Sequence, residues 1–144
     1  NLLDNMFVLI LSCTTFTVPF CTWMMKGYFD SISPTIDEAA MVDGANRFQV
    51  FSRIVLPLSL PGLAATTIFA FISGWNEYVF ASLLLPSYSN WTLPIGIASF
   101  QGQYDTNWGT LMAGAVMITV PVVIIFWLLQ KHLVAGMTAG AVKG

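Results

Sequence analysis

The strongest constraint on this 144-residue chain is where its charges are missing: positions 5–25, 54–76, 78–104 and 106–130 hold no Asp, Glu, Lys or Arg. An ion in hydrocarbon is costly unless it finds a partner. Uncharged runs as long as the roughly 20 residues of a bilayer-crossing helix are therefore candidate spans. Only 8% of the chain is charged while 56% is hydrophobic, against about 25% charged in an ordinary soluble domain. A chain this small could not clothe a solvated globule with so few ions. Five cations also make no basic stripe for a phosphate backbone, which argues against nucleic acid as a partner.

The runs need not all be separate helices. Glu77 interrupts an apolar stretch over 58–85, which would extend about 42 Å as one helix and make one long or tilted span. The segment 86–108 is rich in Pro, Ser, Asn, Gln and Gly and reads as a loop outside the membrane. The expected architecture is an all-α, polytopic transmembrane bundle with spans near 6–25, 58–85 and 110–130. Lys26, Arg47 and Arg53 fall between the first two spans, and Lys131 and Lys143 follow the third. The positive-inside rule then places the 30–57 loop and the 131–144 tail in the cytoplasm and the 86–108 loop outside. The opening residues lack a basic leader and a small-residue cleavage site, and the chain is expected to be part of a longer protein. Polar groups within three spans call for further helices, a partner subunit or both.

Cys13 and Cys21 on one helix lie about 12 Å apart, too far for a disulfide. Neither they nor the lone His132 suggest a metal site. No Gly-rich phosphate loop ending in Lys-Ser or Lys-Thr is present, so the chain is expected to bind no nucleotide itself and to be no enzyme. Pro19 and Pro121 should kink their helices. Gly109, Ala113, Ala115 and Thr119 offer small residues for close packing. Ser12, Thr14, Thr15, Thr17 and Thr22 could line a hydrophilic path, or bond the preceding helical turn.

Most of the charge lies in the segment after the first span. Ser33-Pro34 suits an N-cap with proline in the first turn, and Thr35 with Glu38 would form a capping box; either starts a helix through Ala39 and Ala40 to Asp43. Gly44 permits a turn, and Asn46 caps a second helix on which Phe48, Phe51 and Val55 form one apolar stripe. Pro57 should stop that helix. Two short helices joined at a glycine make either a docking knuckle for a cytoplasmic protein or an amphipathic segment lying on lipid.

The residues Glu38-Ala39-Ala40, then Gly44, then Ile54-x-Leu56-Pro57 resemble the EAA loop of permease subunits of binding-protein-dependent ABC importers. Asp43-Gly44-Ala45, Trp75-Asn76-Glu77-Tyr78 and the tail from Gly136 to Gly144 are similar to the carbohydrate branch, nearest its maltose-permease-like second subunit. The resemblance covers essentially the whole chain and implies the last three of the family's six spans in a prokaryotic inner membrane. It implies that Glu38, Ala39, Ala40, Asp43, Gly44, Ala45, Phe48, Ile54, Leu56 and Pro57 couple to one of two cytoplasmic ATPase subunits, which would hold the ATP and Mg. It implies that Gly136, Thr138, Ala139, Gly140 and Lys143 reach along the ATPase interface. A second permease subunit and an extracytoplasmic sugar-binding protein complete the implied partners, with Tyr88, Trp91, Gln101 and Tyr104 on the loop that faces the binding protein. Those aromatic and amide residues equally suit a membrane-surface belt. Asn76 and Glu77 are candidates for the translocation path or gate, and Glu77 could instead be a structural carboxylate or a proton relay in a secondary transporter. The implied activity is inward transport of a di- or oligosaccharide. A non-carbohydrate solute is the nearest alternative, and a passive membrane scaffold a more distant one.

Overall fold

A computed structural model describes residues 2–102 and 106–141, with 134–141 described at the backbone. Regular structure among them is helical, as expected; the sole β feature among the described residues is an isolated bridge between Gln101 and Thr106. Helix α1 (Met6–Asp30) opens at Asn5, whose side chain accepts the Phe7 N–H at 2.9 Å. It does not stop near residue 25. Lys26 and Asp30 pair across one turn at 2.5 Å, and that spacing favours another helical turn beyond the apolar run. Pro19 and Pro121 both lie inside helices that continue past them.

Helices α2 (Pro34–Val42) and α3 (Arg47–Val50) come next, forming an elbow. From α3 the chain enters a π turn (Phe51–Val55), then α4 (Leu56–Leu58) and α5 (Leu60–Trp75). Pro57, the expected stop, does not end the helix. In the π turn the Leu56 N–H reaches the carbonyl of Phe51, five residues back. That wider register relieves the clash between a proline ring and the carbonyl four residues earlier. The break comes at Ser59 (φ −83°, ψ −2°), where the path bends by 67° between Arg47–Leu58 and Leu60–Leu84.

The expected single span over 58–85 is two helices, α5 and α6 (Val79–Leu84). The helix stops at Asn76 because the Glu77 carboxylate takes the Phe80 N–H at 2.7 Å and starts a new helix there. The segment 86–108 is also more ordered than a loop: it holds a 3-10 turn (Tyr88–Asn90) and α7 (Leu93–Ala98). Thr92 in extended conformation with Pro94 in the first turn is an ordinary helix start. Finally α8 spans Trp108–Ala141, so the helix does not stop near residue 130, the expected end of the third span, but continues as far as Ala141.

Leu9, Ala81, Leu85 and Ile95 form a small core that joins α1, α6 and α7, with Cys13, Phe80, Leu84 and Trp91 packed around it. Phe20 and Phe69 meet at 4.2 Å between α1 and α5. On α8 the close-packing position is Gly114, buried under Ile97 of α7, whereas Gly109, Ala113 and Ala115 are exposed in this chain. Ser12, Thr14 and Thr15 donate to the carbonyls of Val8, Ile10 and Leu11, which takes their hydroxyls onto the preceding turn.

Helix α1 and the Trp108–Leu133 part of α8 are each long and apolar enough to cross a membrane, and the bent pair Arg47–Leu58 and Leu60–Leu84 makes a third span if counted as one. Phe7, Phe16 and Trp23 on α1, and Val116, Val123 and Trp127 on α8, stand exposed. So much bare apolar surface belongs against lipid or other helices.

Candidate functional site

The elbow between α1 and α5 is built by local capping. Ser33 is extended ahead of Pro34, so α2 starts by the Ser-Pro route; the Thr35 hydroxyl meets Ser33 Oγ at 2.8 Å, and the expected Thr35–Glu38 box does not form. Thr35 lies inside the first turn, too late to cap it. At the other end Gly44 takes φ +88°, the Ala45 N–H donates to the Ala40 carbonyl and the Gly44 N–H to that of Met41. This pair of bonds is a Schellman motif, which satisfies carbonyls that the helix end would orphan. Asn46 then caps α3, and its bond with Gln49 is reciprocal, both at 2.9 Å. Rigid turns thus fix the angle between the two short helices.

Their side chains divide into two sets. Ala40 and Val50 are buried and seat the elbow, with Ala45 and Ile54 half-buried. Glu38, Ala39, Asp43 and Gly44 are exposed, beside Val42 at 87% and Phe48 at 76% exposure. Met41 and Val42 belong to this outward face although no sequence signal singles them out; the signal available is their place between Ala40 and Asp43 on a helix whose buried edge is alanine. The expected Phe48–Phe51–Val55 stripe is split, because the π turn changes the rotation of the helix after Val50. Phe51 and Val55 line a cavity of about 480 Å³ with Phe29, Ile32, Pro34 and Asp37, while Phe48 faces out. Leu56 and Pro57 are exposed at the base of the elbow.

The other candidate residues lie elsewhere. Asn76 is exposed at the end of α5 and Glu77 half-buried at the start of α6, with its carboxylate engaged as a helix cap. Tyr88 and Trp91 come together, ring centroids 4.9 Å apart, but in different settings: Tyr88 is exposed and Trp91 packs on the core. Gln101 is exposed and held by its backbone bridge to Thr106. Tyr104 lies outside the described residues. Gly136, Thr138, Ala139 and Gly140 are in the backbone of α8, and Lys143 lies outside the described residues. Among the described residues no cluster of His, Cys, Asp or Glu could hold a metal ion.

Near the start of α1, Asp4 has φ +62°, donates its N–H to the Leu84 carbonyl at 2.7 Å, and accepts the Ser87 N–H on Oδ1 at 3.3 Å. The hydrogen bonds with Ser87 lower its pKa below the ordinary value, against a smaller opposing effect of desolvation and with help from Asn90.

Residues 1–139 match the family described as binding-protein-dependent transport system inner membrane component. The chain is 43% identical over 98% of its length to the inner membrane ABC transporter permease protein YcjP of Escherichia coli, covering 50% of that protein. It is 44% identical over 89% of its length to the trehalose/maltose transport system permease protein MalG of Thermococcus litoralis, covering 46%. It is 38% identical over its whole length to the diacetylchitobiose uptake system permease protein DasC of Streptomyces coelicolor, covering 52%. The chain spans about half the length of these curated relatives.

Proposed function

This chain belongs to the family of binding-protein-dependent transport system inner membrane components, and from that premise we propose that it forms part of the permease subunit of an ATP-driven sugar importer. The observation that carries the reading is the elbow: the complete Glu38 to Pro57 spacing coincides with two capped helices that turn Glu38, Ala39, Val42 and Phe48 outward together. A cytoplasmic ATPase subunit would seat on that face, Glu38 supplying an ionic contact and Ala39 the close approach. The ATPase would hold ATP and Mg and do the hydrolysis. Because the elbow bends directly into α5, movement of the ATPase would reach the spans without a slack linker.

Relatives whose names specify trehalose, maltose or diacetylchitobiose support a di- or oligosaccharide as cargo. A second permease subunit would cover the exposed apolar faces that lipid does not. An extracytoplasmic sugar-binding protein would meet the segment with Tyr88, Trp91, Gln101 and Tyr104. The region from Gly136 to Lys143 would run toward the ATPase pair, with the carboxyl end in the cytoplasm. The path would pass near Asn76. Glu77 as a proton relay is the weaker reading, because its carboxylate already serves as a cap.

The test is purification of the full-length subunit with whatever accompanies it, then uptake of labelled oligosaccharides into vesicles. Copurification of an ATPase and uptake that requires ATP and survives a proton uncoupler are expected. Uptake that collapses with the uncoupler at constant ATP would replace this reading with a secondary transporter. ATP-driven uptake restricted to amino acids or ions would leave the importer standing and remove the sugar.

A further inference from the structure

We propose that Tyr28 and Gly62 form a clamp across the base of the elbow, and that this clamp makes α1 and α5 move together when the elbow is pushed. The inference rests on the coupling role above and names positioning residues for it. A bend of 67° at Ser59 is a weak point for force transmission: a push on α2 or α3 could simply change the angle. Two features oppose that. Ser59 is fully buried, its hydroxyl donates to the Val55 carbonyl at 2.6 Å, and its N–H to the same carbonyl at 2.9 Å, which holds the bend from inside.

The second feature is a contact between distant parts of the chain. Tyr28 lies in the last turn of α1, just before the elbow, and Gly62 in the first turn of α5, just after it. Gly62 is buried, and a Cβ there would sit 2.5 Å from Tyr28 Cγ and 2.8 and 3.0 Å from its two Cδ atoms. The tyrosine ring therefore occupies the space a side chain at 62 would need. Real Cβ atoms do not come so close, so any larger residue must displace the ring or separate the helices. With the legs pinned there, the elbow is a closed loop of chain with a fixed base. Without the pin its legs could splay, and work done on α2 would be lost before it reached both spans.

Gly62 is buried in α5 and Tyr28 half-buried in α1, away from the outward face of α2 and α3, so their substitution should leave ATPase binding in place. In the full-length importer, Gly62→Val and Tyr28→Ala are each expected to lower sugar moved per ATP hydrolysed by about tenfold, within the range of ordinary coupling energies, while the ATPase still copurifies. The double variant, in which the valine side chain introduced on α5 refills the space left by the ring, should recover part of the ratio. Equal ratios in wild type and both single variants, or a double variant no better than the worse single one, overturn the clamp. Loss of ATPase copurification from all three variants also overturns it, since the pair would then be supporting assembly and not coupling. A cross-link provides a second measurement. With Cys13 and Cys21 replaced by Ser, Tyr28→Cys with Gly62→Cys should form a disulfide that leaves uptake intact; uptake blocked by oxidation and restored by reductant would show that the contact must open, and the inference fails. Absence of any ATPase from the wild-type preparation would instead remove the coupling role itself.

Discussion

The indole N–H of Trp75 donates to the backbone carbonyl of Ile118 at 3.1 Å, joining the end of α5 to the middle of α8. Ile118 lies one turn before Pro121, in the stretch where a missing backbone donor loosens the helical bonding. Trp75 also stacks on Phe71, ring centroids 5.5 Å apart.

Trp75→Phe keeps an aromatic ring and removes the donor. It should cost about 1 kcal/mol, the net worth of one such bond, seen as a lower thermal midpoint in detergent. A midpoint unchanged from wild type would mean that the bond contributes nothing to the α5–α8 contact.

Glu77 can be tested by separating charge from hydrogen bonding. Glu77→Gln retains an acceptor for the Phe80 N–H, while Glu77→Ala leaves it without one and should destabilise by about 1 kcal/mol. Uptake should survive the Gln change and fall with Ala. Equal loss of uptake in both variants, neither of which can carry a proton, would overturn the cap and point to a proton carrier.

At Gly44 the obstacle to substitution is the backbone alone, since a Cβ there would meet nothing within 4 Å and φ is +88°. Asn, which tolerates the left-handed region, should therefore retain more uptake than Ala despite its greater size, and Val should retain least, with strain of about 1–2 kcal/mol. A ranking that tracks side-chain volume, measured as ATP-dependent uptake, would refute the turn argument and indicate a packed neighbour.

This position also separates what is legible in the sequence from what is not. Gly44 and Asn46 can be read because caps and turns use residues within a few positions of each other. The π turn at Phe51–Val55 gives no such sign: it moves the point of termination from Pro57 to Ser59 through hydrogen-bond register, which no residue type encodes. Glu77 is visible as an ion among apolar residues, but its work as a cap depends on where α5 stops. The segment holding α7 reads as a loop from its polar composition, although Thr92 and Pro94 carry a start signal. The contacts Tyr28–Gly62 and Ile97–Gly114 join residues far apart in the chain, and periodicity within one helix says nothing about its neighbour.

The Asp4 carboxylate gives a prediction about acidity. Its pKa is depressed, chiefly by the hydrogen bonds with Ser87, so its contribution is complete above the ordinary value of 3.8 and disappears as pH falls through the lower folded value. Hydrogen exchange of the amides at 84–90 should be insensitive to the state of Asp4 from neutral pH down to that point and then show an acid-triggered loosening. Asp4→Asn should abolish the trigger. An unchanged acid transition in that variant would assign it to another group.

The two attachments of α1, through Asp4 to the Leu84 carbonyl at one extremity and through Tyr28 to Gly62 at the other, have a mechanical result. They rivet two struts at both tips, and only one strut has a joint along its length, at 76–78 between α5 and α6. Any tilt imposed at one end must then be absorbed at that joint, so the residues there set how far the frame can lean before a rivet gives way.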